Sequence, residues 1–285
     1  MRQLQVEPFF HEQSSTWTYV VHDGETAAVV DPAVDFDAAS GRADPAPAAR
    51  VAEFVARRGL ALEWILETHA HADHLSAAPW LKAELGGRVA IGEGIRVVQA
   101  TFKELLDLEP DFATDGSQFD HLFRDGEAFR IGRLEARVMA TPGHTDDSVT
   151  YVVGDAAFVG DTLFMPDGGT ARCDFPGGDA ARLYASIGRL YGLPAATRIF
   201  VCHDYQPGGR ELRCQASVAE QRAANVHVRE GVTEADFVAL RRARDATLAV
   251  PRLLYPSVQV NVRAGRPPPA AANGRRYLKI PYGPA

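Results

Sequence analysis

Between Thr68 and Leu75 the chain reads Thr-His-Ala-His-Ala-Asp-His-Leu, which sets His69, His71, Asp73 and His74 within six residues. Imidazole nitrogens and carboxylate oxygens are the donors that borderline divalent metals take, and this density exceeds what folding alone asks of a chain. The stretch is a candidate metal site. Downstream the chain also carries Thr141-Pro142-Gly143-His144-Thr145, Gly160-Asp161-Thr162-Leu163 and His203-Asp204-Tyr205. Donors of this kind can hold ions that lower the pKa of bound water and polarise a carbonyl, or a single ion with open positions for substrate and oxygen.

Such residues need elements to bring them together. The mostly apolar run Leu62 to Glu67 predicts a strand delivering His69, and Leu75 to Leu85 predicts a helix closed by Gly86-Gly87, so the cluster falls on a strand-to-helix loop. Upstream, Leu4 to Phe10, Thr16 to His22 and Ala27 to Val30 alternate as strands of a meander that ends at Asp31-Pro32. Asp35 to Pro47 reads as a loop, Ala48 to Arg58 as a helix stopped by Gly59, Val89 to Ile91 as a strand, Ile95 to Leu106 as a helix and Leu108 to Asp120 as a surface loop. The pattern then restarts. Glu127 to Ile131 and Leu134 to Met139 form a hairpin, and the second strand ends at the His144 turn. Val149 to Val153 and Ala156 to Val159 form another hairpin, delivering Asp161. A helix over Asp179 to Tyr191 precedes a strand from Arg198 to Cys202, which delivers His203. Helices around Glu211 to Ala224 and Thr233 to Thr247 follow. The tail from Val262 carries Arg263, Arg266, Arg275, Arg276 and Lys279 with no acid, and is expected to be largely solvated, with Tyr277 to Ile280 apolar enough to pack back.

The 285 residues suit one large domain with an extension. A net charge of -7 argues against a nucleic-acid binder that works by phosphate neutralisation. Residues 1–8 lack an apolar leader core and no apolar run reaches membrane-spanning length, so a soluble cytoplasmic protein is expected. Cys173, Cys202 and Cys214 are odd in number and form no Cys-x-x-Cys pair, which suits a reducing compartment.

The run Thr-His-x-His-x-Asp-His, with the later Pro-Gly-His-Thr turn, resembles the signature of the metallo-β-lactamase superfamily. The resemblance implies an α/β fold, a four-layered αβ/βα sandwich with metal at one edge. Residues 1–210 would form the catalytic domain, and residues 211–285 a C-terminal extension of helices and basic, Pro-rich tail packing on it. It also implies that Asp31 supports the metal loop from behind the ligands. Two chemistries share this scaffold. In hydroxyacylglutathione hydrolases (glyoxalase II) two zinc ions would take His69, His71 and His144 on one side and Asp73, His74 and His203 on the other, with Asp161 bridging. All seven donors are present.

The flanks resemble more closely the persulfide dioxygenase family in its longer bacterial form, through Arg172-Cys173-Asp174-Phe175 and His203-Asp204-Tyr205. That resemblance implies one Fe(II) per chain held by His69, His144 and Asp161, with His71 and Asp73 acting from behind the ligands and Arg172 and Tyr205 beside the substrate. The reaction implied is oxidation of glutathione persulfide, or a similar small persulfide, by O2 to sulfite and the thiol, and the assembly implied is a homodimer. One departure stands out: some members carry a cysteine shortly before the arginine, where this chain has Thr170, with Cys173 just after Arg172.

Overall fold

The computed structural model describes residues 4–282; residues 1–3, at the start of the stretch lacking a leader core, and residues 283–285 lie outside the described residues. The chain opens with β1 (Gln5–His11), β2 (Thr16–His22) and β3 (Thr26–Val30), then β4 (Ala33–Asp37), β5 (Arg42–Asp44) and helix α1 (Ala46–Arg57). Next come β6 (Ala61–Leu66), β7 (Leu75–Ser76), α2 (Ala78–Leu85), β8 (Arg88–Gly92), α3 (Ile95–Leu105) and β9 (His121–Phe123). The second half runs β10 (Ala128–Ile131), β11 (Leu134–Ala140), β12 (Val149–Val153), β13 (Ala156–Phe158), α4 (Ala180–Tyr191), β14 (Arg198–Phe200) and β15 (Gln215–Ser217). Helices α5 (Val218–Ala224), α6 (Glu234–Asp245) and α7 (Leu254–Asn261) complete it. Two six-stranded sheets result, ordered β1-β2-β3-β6-β8-β9 and β10-β11-β12-β13-β14-β15, with a small sheet β5-β4-β7 beside them.

Strand alternation decides the layers. Tyr19, Val21, Ala28, Val30 and Leu66 point to one face of the first sheet, where they pack with Val138, Tyr151, Phe158 and Phe200 of the second. Val20, Val29, Ile65 and Val89 point to the other face and bury Val51 and Val55 of α1, Leu81 of α2 and Val98 of α3. Leu183, Ile187 and Leu190 of α4 and Phe237 of α6 join the core of the second sheet. These are the four layers of a metallo-β-lactamase sandwich.

The same order explains why the donors meet. β3 pairs parallel with β6, and β13 parallel with β14, so the loops after each pair leave from one edge of their sheet. Polar side chains lock the two sheets at that edge: the Tyr151 hydroxyl donates to Glu67 O at 2.8 Å, immediately before the metal loop, and the Tyr19 hydroxyl to Val201 O at 2.5 Å, before His203. Farther back, Trp64 Nε1 donates to Arg130 O at 2.8 Å, satisfying the indole inside the apolar layer.

Several expected elements shift. The helix expected from Leu75 starts at Ala78, because Leu75 and Ser76 pair with β4 and Pro79, which lacks a backbone donor, fits only the first helical turn. The loop expected over Asp35 to Pro47 contains β4 and β5, with Gly41 at φ 68° in the turn between them. The helix expected from Glu211 begins at Val218 behind a Ser217–Glu220 capping box, and the preceding residues form β15, which extends the second sheet. Helix α7 carried no amphipathic signal because all of its residues from Pro256 to Asn261 are buried. The basic tail is largely solvated, as expected, with Arg266, Arg275, Arg276 and Lys279 exposed; of the run expected to pack back, Tyr277 and Ile280 are exposed and Leu278 alone rests on the core. Its start is the exception: Arg263 is buried, pairs with Glu109 at 2.5 Å and lies over the Phe112 ring. The backbone of Lys279 exchanges two hydrogen bonds with the Gln259 side chain. The loop over residues 108–120 is partly core, through Phe112 and Phe119. No helix among the described residues is long and apolar enough to cross a membrane.

Gly143 shows how tightly the His144 turn is seated. At φ 139° its backbone lies against the start of α4, and an added Cβ would come within 2.3 Å of Leu183 N and 2.4 Å of Leu183 Cα. Both contacts are backbone or near it, so no side-chain rotation relieves them. Gly143→Ala is expected to cost roughly 3 kcal/mol of stability in urea denaturation. A variant within about 0.5 kcal/mol of the parent would contradict this account of the turn.

Candidate metal centre

Each donor is aimed by the atom behind it. His144 follows Gly143, and its Nδ1 lies 2.7 Å from Arg172 O; a carbonyl only accepts, so Nδ1 carries the proton and Nε2 keeps its lone pair. His69 Nδ1 lies 3.0 Å from Thr68 Oγ1, whose own proton goes to Asp31 Oδ2 at 2.9 Å. The hydroxyl therefore accepts from His69 Nδ1–H, and His69 Nε2 is likewise the free nitrogen. Both point at Asp161, in the single 3-10 turn after β13: His144 Nε2 is 3.6 Å and His69 Nε2 4.0 Å from Asp161 Oδ2. One donor atom from each of these three buried residues lies within 4.8 Å of the other two.

Asp73 and His203 stand on the other side of Asp161. His203 Nε2 is 3.3 Å from Asp161 Oδ1 and 3.4 Å from Asp73 Oδ2, while its Nδ1 faces Ser15 O at 3.3 Å. Burial alone would lower the His203 pKa, but the Asp161 and Asp73 carboxylates more than reverse this. His71 and His74 fall into other groups. His71 Nε2 bonds to Asp31 Oδ1 at 3.0 Å and lies 3.6 Å from Glu67 Oε2, and His71 groups with Asp31 and Glu67, and with His74 and Cys202. Burial opposes its charge, yet the Asp31 carboxylate wins and raises its pKa. Burial lowers His69 and His74, helped by the neighbouring imidazoles. Burial raises Glu67.

His69 Nε2, His203 Nε2, Asp73 Oδ2, Asp161 Oδ1 and both ring nitrogens of His74 are buried without a hydrogen-bond partner. Leaving that many polar atoms unsatisfied is costly, and all belong to metal-ligand types. The donor set fits bound divalent metal.

A cavity of about 320 Å³ opens onto Asp73, His144 and Asp161, walled by Phe164, Arg172, Phe175, Tyr205, Arg244, Leu248 and Pro251 among others. Arg172 is on this wall, but its Nε and Nη2 grip Asp174 at 2.5 and 2.6 Å, and its Nη1 donates to Ala249 O at 2.7 Å. Tyr205 is 58% exposed, stacks on the His203 ring at 5.5 Å between centroids, and has no hydrogen-bond partner for its hydroxyl among the described residues. Cys173 lies outside this wall, lining a separate cavity with Asp179 and Arg241. Its thiol is pushed up to about 12 by burial, which leaves it an inert packing group. None of the basic tail residues from Arg263 onward lines the metal cavity.

Three contributors were not apparent beforehand. Asp147 accepts from Ala70 N at 2.8 Å and so pins the metal loop to the His144 turn; its only signal was the acidic pair after Pro-Gly-His-Thr. Phe164 packs edge-on against His203 and Tyr205. The wall from Arg244 to Pro251 arrives from the last turn of α6 and the chain after it, with no motif to mark it.

The fold and this donor edge define a class. The family model of the metallo-beta-lactamase superfamily matches residues 12–203, and the chain belongs to that superfamily. Over 290 residues it is 53% identical to a probable metallo-hydrolase of Burkholderia pseudomallei (strain 1710b), covering 98% of this chain and 99% of that one. It is 46% identical over 280 residues to Glyoxylase B2 of Dictyostelium discoideum, with 97% and 96% covered. It is 30% identical over 267 residues to the mitochondrial persulfide dioxygenase ETHE1 of Homo sapiens, with 92% and 89% covered. Among solved structures it is similar to ETHE1 from Myxococcus xanthus, at 30% identity and a TM-score of 0.73 over 92% of this chain and 100% of that one.

The loop carrying Arg172 is braced by His227, whose Nδ1 accepts from Thr170 N at 3.0 Å. Burial, then Arg241 and Arg244, lower this imidazole from 6.5 to about 4. The folded protein thus refuses a proton that the unfolded chain binds, so stability is lost as pH falls from 6.5 towards 4. In the metal-free protein, His227→Gln is expected to flatten that decline by about 2 kcal/mol, read as unfolding free energy at pH 7 and 4.5. Parallel pH profiles for parent and variant would refute this assignment.

Proposed function

We propose that the protein is a mononuclear non-haem iron persulfide dioxygenase, oxidising glutathione persulfide or a similar small persulfide with O2 to sulfite and the thiol. The observation that carries the reading is the grouping of His69, His144 and Asp161 around one point, with His71 falling into groups of its own with Asp31, Glu67, His74 and Cys202. Two histidines and one carboxylate with open positions suit Fe(II) that must take both substrate and oxygen. The 30% identity to a persulfide dioxygenase over 92% of this chain supports it further.

In this reading His69, His144 and Asp161 hold the iron. Bound iron supplies the one-electron chemistry that lets O2 react with a persulfide sulfur. The chain's own residues do the rest. The Arg172 O and Thr68 Oγ1 acceptors keep the ligating nitrogens of His144 and His69 unprotonated. His71 acts from behind the ligands, through Asp31, while Asp73, expected there too, faces the cavity beside His203 and acts on the open side of the ion. Arg172 is preset rather than free: three of its five N–H groups are committed to Asp174 and Ala249, which leaves two for an acceptor on the thiol carrier. Tyr205, exposed beside Phe164, offers its hydroxyl and ring edge to the same carrier. Three unpaired cysteines suit the cytoplasmic setting this reading includes, with a homodimer as the working assembly.

One observation favours a second reading, a binuclear zinc thioesterase. His203 and Asp73 place unpartnered donors on the far side of Asp161, where a second ion would sit, with His74 also unpartnered nearby. Two relatives also carry the names metallo-hydrolase and Glyoxylase.

The two readings part in one preparation. Iron-loaded protein is expected to consume O2 on addition of glutathione persulfide and to form sulfite, and zinc-loaded protein to leave S-lactoylglutathione intact. Brisk thioester cleavage without oxygen uptake would overturn the dioxygenase in favour of the hydrolase. Asp161→Ala is expected to lose iron by metal analysis and, with it, oxygen uptake. Retention of both would remove Asp161 from the ligand set.

A further inference from the structure

The backbone that carries His71, Asp73 and His74 belongs to neither a helix nor a sheet, yet its polar groups are buried. One side chain from the far end of the chain satisfies it. Asn261, the last residue of α7, is 4% exposed. Its Nδ2 donates to His71 O and to His74 O, each at 2.8 Å, and its Oδ1 accepts from Ser76 N at 2.9 Å. A carboxamide is the neutral group that offers two donors and an acceptor in one plane, and all three are used. An aspartate would present oxygens to two carbonyls, and an alanine would leave two acceptors and a donor buried and unmet.

The grip is reinforced from both sides. Ser76 Oγ donates to the Glu67 carboxylate and accepts from Ala78 N at 3.0 Å, and Glu67 Oε2 faces His71 Nε2 at 3.6 Å. Asn261 therefore reaches His71 twice, through the loop backbone and through Ser76 and Glu67. Just beyond it, Gly265 at φ 79° lets the chain approach so closely that a Cβ would sit 2.5 Å from Pro79 Cδ and 3.0 Å from Ser76 O. The end of α7 is seated on the metal loop without freedom to slide.

We propose that Asn261 is a positioning residue for the metal loop: it sets the separation of the His71 and His74 carbonyls and so governs how tightly the centre retains its ion. It touches no donor atom of the metal group. The inference rests on the superfamily's metal site at this loop: with one ion it acts through His69 at the head of the same loop, and with two through His71, Asp73 and His74 as well.

The test uses full-length protein loaded with zinc alone, with release to a chromogenic chelator followed over time and the melting temperature of the metal-free form measured beside it. Asn261→Ala and Asn261→Asp are expected to release zinc at least about 10-fold faster than the parent, in the range seen when residues that orient metal ligands are lost. Asn261→Ser, which keeps one donor and is the mildest change, is expected to fall between and guards against variants that fail to fold. Gln259→Ala is the control, since it removes buried hydrogen bonds from the same helix to the Lys279 backbone and none to the loop. It should lower the melting temperature with zinc release unchanged. Release rates for the Asn261 variants within about 2-fold of the parent, with only the melting temperature lowered, would overturn the proposal. A parent that holds no zinc would overturn the metal centre itself, and this inference with it.

Discussion

The Asp31 carboxylate, on a residue held at φ 49° after β3, is the interaction on which the metal edge depends. It accepts from Thr68 N at 2.7 Å, from Thr68 Oγ1 at 2.9 Å and from His71 Nε2 at 3.0 Å, while its backbone N–H donates to Leu66 O. Aspartate tolerates the left-handed region better than most side chains because its short polar group bonds locally. Here that tolerance turns the side chain across to the neighbouring strand. By taking the Thr68 proton it decides the tautomer of His69, and by holding His71 it keeps that ring grouped with Glu67 rather than with Asp161. The arrangement of the donors at this edge thus begins at a carboxylate behind His69.

The region after α4 completes what the sandwich leaves open. Asn225 Nδ2 donates to Gly169 O, Arg241 Nη1 to Thr170 O, and Asp245 accepts from Cys173 N, so α6 and the chain before it hold the loop that ends on Arg172. Arg241 is itself buried; its pairing with Asp245 offsets a desolvation cost that no lone guanidinium could bear. The loop then presents its carbonyl to His144. Helices outside the matched superfamily segment thus reach the ligands at two points, through this loop and through Asn261.

The donors were legible because metal chemistry restricts residue types and because strand-loop spacing carries a periodic signal: His69, His144, Asp161 and His203 each follow a strand that alternation reveals. Short elements escaped for the complementary reason. β4, β5, β7 and β15 have two to five residues, too few for alternation to declare itself, and α7 is buried around its circumference and has no polar face to give it period. Partners of charged groups were equally hidden. Nothing in the local sequence says that Arg263 will find Glu109 from 154 residues away, whereas Arg172 and Asp174, two apart, could be paired on paper.

The bond from His144 Nδ1 to Arg172 O couples two properties of the cavity. The same short loop shapes the cavity wall and supplies the acceptor behind the His144 imidazole. A backbone shift in this loop that reshapes the wall also moves the acceptor that sets the basicity of His144. Wall shape and imidazole basicity are thus tied to one backbone segment, and neither can be changed through that backbone without the other.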